Sequence, residues 1–332
     1  MFPWYGEICS STLATAYSSG AYSDQKIATT DTGDRCTLGH TGTSAAAPLA
    51  AGIIALALQA NPNLTWRDIQ HLIVWTSEYS PLSANAGWNE NGVGLRFDVR
   101  FGFGLLNAGA LVAAAFNWTN VPEKYSCRVK TLPVNGKLSS VRSVNINIGV
   151  DNDCKVKFLE HVELLVNLEY SQRGALEINL ISPLGTNVQL LSPRPKDLST
   201  SGFVNWPLMS VATWGESPKG IWKVTIEDKS NKSNRGEAGE MTLVIHGSSE
   251  MPAHMISGPR RYNSYDITYP FDFFDIPDDL KNPVADDKLA SVVLGQPNIE
   301  EGVLNEVDST ILSEVDKELQ RVYHRKIFPY YF

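Results

Sequence analysis

His40-Thr41-Gly42-Thr43-Ser44-Ala45-Ala46-Ala47-Pro48 runs straight into Leu49-Ala50-Ala51-Gly52-Ile53-Ile54-Ala55-Leu56-Ala57-Leu58. A loop of small and polar residues gives way to a segment almost wholly of small and aliphatic ones, which predicts a helix whose first turn begins at Ser44. Gly42 allows close approach of backbone or substrate, and Pro48 is tolerable because it is expected to lie in the first turn. A helix start carries unpaired N–H groups and a partial positive charge, both favouring an oxygen that becomes anionic. A hydroxyl placed there can serve as a nucleophile with part of its oxyanion site supplied by the backbone. Serine is also an ordinary residue for capping a helix. Two other serine motifs are excluded: a nucleophile elbow needs glycine where Ala46 stands, and Ser-x-x-Lys needs lysine where Ala47 stands.

The 332 residues, 43% hydrophobic and 19% charged, suffice for more than one packed core and exclude a wholly disordered chain. Net charge is −8, but residues 250–332 hold 15 acidic and 8 basic side chains, net −7, which leaves −1 for the first 249. The acidity therefore belongs to the tail, and no basic stripe argues for a nucleic-acid partner. Met1-Phe2-Pro3-Trp4-Tyr5 has neither the basic start nor the apolar core of a signal peptide. The longest apolar run, Ala45 to Ala60, is interrupted by Pro48 and is shorter than the roughly 20 residues of a membrane span; its small residues suit a helix buried inside a protein. Cys9, Cys36, Cys127 and Cys154 show no metal-ligand spacing, whereas the interval between Cys127 and Cys154 suits a loop-closing disulfide in an oxidising compartment. Asn63, Asn117 and Asn231 each begin an Asn-x-Ser/Thr sequon and are candidate glycosylation sites.

Along the chain, Thr12 to Tyr17 reads as a buried strand. After Asn61-Pro62-Asn63-Leu64, Thr65 and Asp68 have the spacing of a capping box, and Ile69, Leu72, Ile73 and Thr76 recur at helical intervals. His71 lies off the main apolar stripe of that helix and reads as structural. Trp88 to Gly94 reads as a turn-rich loop, Arg100-Phe101-Gly102-Phe103-Gly104 as a tight strand, and Asn107 as the cap of a helix through Phe116. From Val121-Pro122-Glu123 the pattern changes. Leu159–Tyr170, Ala175–Ile181, Asn187–Leu191, Met209–Trp214, Gly220–Ile226 and Glu240–His246 read as strands separated by turns, which argues for an antiparallel sandwich. Beyond Ser249 the chain reads as mostly extended. Leu304, Val307, Ile311, Val315, Leu319 and Val322 then mark one amphipathic helix over about 299–325, with Asn298 and Glu301 as a capping box.

Gly42-Thr43-Ser44-Ala45-Ala46-Ala47-Pro48 resembles the nucleophile segment of subtilisin-like serine proteases, and the run from His40 through Thr65-Trp66-Arg67-Asp68 resembles their kexin/furin branch, the proprotein convertases. Pro3-Trp4-Tyr5 and Cys9-Ser10-Ser11-Thr12-Leu13-Ala14-Thr15 extend the likeness. Trp75-Thr76-Ser77-Glu78-Tyr79 and Arg100 through Asn107 point to the family's neuroendocrine members, and Thr213-Trp214-Gly215-Glu216 with Gly220-Ile221-Trp222 resemble its P domain. The implied organisation is the C-terminal part of an α/β subtilisin-like (peptidase S8) catalytic domain over residues 1–118. An all-β P domain follows over 119–248, an eight-stranded jelly-roll sandwich in the family, and an acidic tail over 249–332. Arg173-Gly174-Ala175 departs from the Arg-Gly-Asp that relatives often carry there.

The resemblance makes Ser44 the nucleophile and gives Thr43 a hydroxyl for the oxyanion site. It puts the catalytic Asp and His, the oxyanion Asn and the carboxylates that read paired basic residues upstream of Met1. In subtilisin-like enzymes the base precedes the serine. The only earlier histidine, His40, belongs to the nucleophile motif, so neither it nor His71 is expected to be the base. Glu7 corresponds to a calcium ligand, calcium being the family's cofactor. Cys9 and Cys36 are expected to be unpaired here, and Cys127–Cys154 to be bonded within the P domain. The implied function is serine endopeptidase processing of prohormones and proproteins at paired basic residues. The implied location is the secretory pathway lumen, trans-Golgi or secretory granules, or outside the cell. This chain by itself is expected to be inactive, a C-terminal piece. The tail helix is expected to touch a membrane or granule component. The alternative is a truncated, non-catalytic isoform that binds or regulates through its P domain and tail.

Overall fold

In the computed structural model, residues 5–19, 26–131, 136–230 and 232–262 are described. Asn231 and the amphipathic helix expected over 299–325 lie outside them. A hairpin of β1 (Ile27–Asp31) and β2 (Arg35–His40) turns at Gly33 and Asp34, both at positive φ, and delivers the chain to helix α1 (Thr43–Ala60). Pro48 is the sixth residue of α1 and not part of its first turn, so the Ser44 carbonyl lacks the N–H that residue 48 would otherwise donate. Only Ala45 and Ala57 of α1 are buried; Leu49 and Leu56 are exposed. The expectation of a buried helix is not met: among the described residues α1 packs mainly against other helices, and most of its side chains are exposed or half-exposed. Its 18 residues are also long and apolar enough, by length and composition alone, to cross a membrane, where the sequence had read as too short.

Helix α2 (Trp66–Thr76) starts with the expected capping box. The Asp68 N–H donates to Thr65 Oγ1 at 3.2 Å and the Thr65 N–H to Asp68 Oδ2 at 2.7 Å. Thr65→Ala should therefore lower the unfolding free energy by about 1 kcal/mol in urea denaturation, with serine at this position retaining most of the cap. Asp68 is fully buried and also accepts from Trp118 Nε1, Asn120 Nδ2 and the Val121 N–H, which ties the start of α2 to the segment leading out of the helical part. Burial alone would raise its pKa, but the hydrogen bonds from Thr65, Val121 and Trp118 together lower it.

Between α2 and helix α3 (Ala108–Phe116) lies a two-stranded hairpin, β3 (Asn89–Glu90) inside the Trp88–Gly94 stretch expected to be loop and β4 (Arg96–Phe97) just beyond it. Asn107 caps α3, its side chain accepting from the Ala110 N–H at 2.8 Å. Arg100 to Gly104 is a succession of turns, and Thr12 to Tyr17 is an irregular, half-exposed segment; neither forms the expected strand. The two segments do run together: Phe103 N–H donates to Leu13 O at 2.8 Å and Thr15 N–H to Gly104 O at 2.9 Å. The glycines set this geometry. A Cβ on Gly102 would lie 2.2 Å from Leu13 C and one on Gly104 2.4 Å from Glu78 O, so the backbones meet only where side chains are missing. Ala57, Leu64, Leu72, Leu111 and Ala115 form the core of the helical part.

The remaining described chain folds into two antiparallel sheets. Its strands are β5 (Lys124–Lys130), β6 (Gly136–Ser139), β7 (Val144–Val150), β8 (Phe158–Tyr170), β9 (Leu176–Ile181), β10 (Asn187–Leu191), β11 (Phe203–Ser210), β12 (Gly220–Asp228), β13 (Arg235–Ala238) and β14 (Thr242–Ser248). One sheet runs β10-β9-β12-β7; the other runs β5-β14-β8-β13-β6, with β11 also pairing β8. Ten strands thus replace the expected eight. In the first sheet Val224 opposes Ile146 on one side and Leu180 on the other, and Ile226 opposes Val144 and Ile178, so alternate residues of three strands form one buried layer. Met209 to Trp214 is not the expected strand. Its pairing ends at Ser210 and Val211–Trp214 closes a turn, whereas the strand reaches back to Phe203 through Pro207, which is acceptable on a strand off the main sheet path.

Cys127 on β5 and Cys154, in the loop before β8, are disulfide-bonded across 27 residues, and both pack against the sandwich core. Cys9 and Cys36 are free and exposed. Replacing Cys127 and Cys154 together by alanine should cost about 2–4 kcal/mol by removing the restraint on the unfolded chain. Native protein titrated in denaturant without reductant should show two free thiols, and four after reduction; four in both conditions would refute the bond.

Beyond β14 the chain turns back onto the helices. His254 packs against His71, Trp75 and Trp118, and Arg260 donates to the carbonyls of Val74, at 2.7 Å, and Ser77. The described residues lie in one compact unit, Met1–Tyr262.

Candidate active site

Ser44 is the second residue of α1, with an exposed side chain. It is not the cap. Gly42 occupies that position at φ 91°, no side chain caps the helix, and the Ala45 N–H reaches the Gly42 carbonyl at 3.0 Å. The N–H groups of Thr43 and Ser44 precede the first intrahelical bonds and face outward with the positive end of the helix. Ser18 Oγ donates to the Gly42 carbonyl at 2.7 Å and Ser19 hydrogen-bonds Thr41, which fixes the loop that enters the helix. Ser44 Oγ and Thr43 Oγ1 are thus presented to solvent on a tethered helix start, as a nucleophile and an oxyanion donor require.

Among the described residues, none hydrogen-bonds Ser44 Oγ. His40 ends β2 and makes no hydrogen bond to the serine. His71 is buried, and its Nε2 lies 3.0 Å from Glu160 Oε1, so it is engaged elsewhere. Glu7 is exposed and belongs to none of the groups of three or more possible metal ligands among the described residues. Calcium takes six to eight oxygens, so Glu7 does not by itself fit that ion. Asn63 and Asn117 are exposed, as glycan acceptors must be.

The most strongly organised polar cluster joins α2 to the sandwich. Glu160, almost fully buried on β8, accepts from Arg67 Nε at 3.1 Å and also from the terminal guanidinium nitrogen, and meets His71 on its other side. Arg67 also donates to Pro122 O at 2.6 Å. Burial alone would push the Glu160 carboxyl up; the hydrogen bonds and charges of His71 and Arg67 outweigh it and hold the group at about 2. Register explains why a glutamate can point this way. His246 on β14 opposes His161 and Gly247 opposes Leu159, so Glu160 is the extra residue of a β-bulge and turns toward α2. A second joint uses Glu216, fully buried, which accepts from the Gly92 N–H at 2.9 Å and from Thr186 Oγ1. A third uses Asn91, which donates to Ala212 O and Trp214 O, both at 3.0 Å. Sequence reading missed these joints. The signal available was Glu160 beside His161, breaking the polar–apolar alternation at the start of β8, and its partners lie 89 and 93 residues away.

This order of parts, a serine-bearing helix start followed by a sandwich fastened to the same helical body, agrees with two family models. Residues 5–104 match the Subtilase family and residues 159–245 match the proprotein convertase P-domain. The chain is 48% identical over 251 residues to furin of Rattus norvegicus, covering 74% of this chain and 31% of that protein. It is 45% identical over 256 residues to Endoprotease bli of Onchocerca volvulus, covering 75% and 37%. The chain belongs to the subtilisin/kexin-like proprotein convertases. It spans about a third of the length of these relatives, 31% and 37%. Among solved structures, the serine protease of Aeromonas sobria shares the fold at a TM-score of 0.55 and 21% identity, over 65% of this chain and 46% of that one. In the convertase, α1 falls inside the Subtilase match, so its apolar composition belongs to a protease-domain helix.

Proposed function

We propose that Ser44 is the nucleophile of a serine endopeptidase that processes proproteins after paired basic residues in the secretory pathway, and that these 332 residues alone do not turn over substrate. The observation that carries the reading is Ser44 itself: an uncapping, unbonded hydroxyl on a helix N-terminus inside the segment that matches the Subtilase family. Thr43 beside it is assigned an auxiliary oxyanion hydroxyl. Inactivity of the isolated chain is supported by the lack, among the described residues, of any imidazole or carboxylate hydrogen-bonded to Ser44 Oγ. A hydroxyl without a base is a poor nucleophile.

The Cys127–Cys154 disulfide and the exposed sequons at Asn63 and Asn117 support an oxidising, glycosylating compartment. Proteins bearing paired basic residues are the proposed substrates, and calcium is the family's expected cofactor. The purified chain, incubated with a fluorogenic dibasic peptide with and without Ca²⁺, is expected to give no turnover above buffer. Calcium-dependent cleavage lost in Ser44→Ala would overturn the inactivity; cleavage unaffected by that substitution would indicate a contaminant and leave the expected result standing.

A further inference from the structure

We propose that His161, Glu163 and His246, on the outer face of the six-stranded sheet, form a binding site for a divalent transition cation of the Zn²⁺ type. His161 and Glu163 are two apart on β8 and share a face; His246 on β14 is directly opposite His161 in register. One donor atom from each residue lies within 4.8 Å of the other two. Donors around a tetrahedral ion with bonds of about 2.0–2.1 Å stand about 3.4 Å apart, so the three side chains must draw together to close on the ion. The imidazoles of His161 and His246 are stacked 4.4 Å apart at 19°, and His246 Nε2 lies 3.5 Å from Glu163 Oε1.

An independent sign of a missing partner is that both ring nitrogens of His246 are buried and without a hydrogen bond. Buried polar atoms of this kind ordinarily have a partner, protein, water or ion. Glu163 contributes a carboxylate to the set. Two nitrogens and one carboxylate with a fourth position open favour Zn²⁺, Co²⁺ or Cu²⁺ over Ca²⁺, which takes oxygens. The site is therefore separate from any calcium requirement. Lys124 on β5 opposes it. Its ammonium is close enough to both His161 and Glu163 to influence their charge states and lies 5.2 Å from the Trp66 ring centroid.

The test uses the full chain with Cys9→Ser and Cys36→Ser, so that the exposed thiols do not compete. Co²⁺ absorption and Zn²⁺ calorimetry should report one bound ion per chain, and Zn²⁺ should shift the imidazole ¹⁵N resonances of His161 and His246 together. Glu163→Gln should weaken binding at least about tenfold, since even outer-shell changes cost that much, and Lys124→Gln should tighten it. No Zn²⁺ binding below about 100 µM, or shifts confined to other histidines, would overturn the site. So would unchanged affinity in a folded Glu163→Gln variant. The imidazole shifts are read on chains that keep all three ligands, so the outcome does not depend on whether a ligand variant folds.

Discussion

Glu160→Ala is expected to destabilise the folded chain by about 3–5 kcal/mol, because it removes the one anion that neutralises a buried guanidinium. Arg67 is 8% exposed and among the described residues hydrogen-bonds only the Pro122 carbonyl and Glu160, so the charge cannot turn to water without breaking the start of α2 away from the sheet. The pair's net worth is much smaller than the cost of breaking it, since each ion was desolvated on folding. The double variant Arg67→Met with Glu160→Leu should therefore recover much of the loss, which a simple packing role for Glu160 would not allow. pH gives a second reading. The folded carboxyl sits at about 2 against an ordinary value of 4.5. Because the folded value is depressed, the stabilisation is fully present above about pH 4.5 and is lost as pH falls toward 2. Urea midpoints measured from pH 7 to pH 2.5 should fall steeply at the acid end in the wild type and less steeply in Glu160→Ala. Equal slopes would refute the assignment.

What could be read from sequence divides along the range of the interactions. Thr65 with Asp68 and Asn107 with Ala110 are local, three residues apart, and their caps form where the sequence placed them. The alternation of Leu176, Ile178 and Leu180 likewise shows which face of β9 is buried. Val144-Asn145-Ile146-Asn147-Ile148 carries an equally plain alternation on β7 and could have been read the same way. Arg100 to Gly104 misled because its glycines, which look compatible with a tight strand, instead permit contact with Leu13 and Glu78, far away in sequence. The orientation of Glu160 was not legible at all. It follows from a bulge defined by pairing with the distant strand β14, His246 against His161 with the register shift at Gly247. The same register brings His246 beside His161 and Glu163. The serine segment was legible as chemistry, but its two structural readings, cap or nucleophile, differ only in whether Gly42 or Ser44 occupies the cap position.

That difference yields the largest expected effect. In a chimera that joins the upstream protease sequence of rat furin to this chain, Ser44→Ala is expected to reduce cleavage of a dibasic reporter by about 10⁴- to 10⁶-fold, the scale at which nucleophile removal silences a serine protease. Stability should hardly change. Gly42 is the residue at the cap, Ser44 makes no cap hydrogen bond, and its side chain is exposed, so alanine removes no hydrogen bond among the described residues and fits the helix better than serine. The unfolding midpoint should therefore correspond to a change within about 0.5 kcal/mol. A capping serine would give the reverse pattern: a loss of about 1 kcal/mol in stability with turnover retained. Thr43→Val separates the neighbouring role, because loss of an auxiliary oxyanion hydroxyl should lower kcat with KM nearly unchanged, and by far less than loss of the nucleophile. Retained cleavage in Ser44→Ala would exclude this serine as the nucleophile whatever happened to stability.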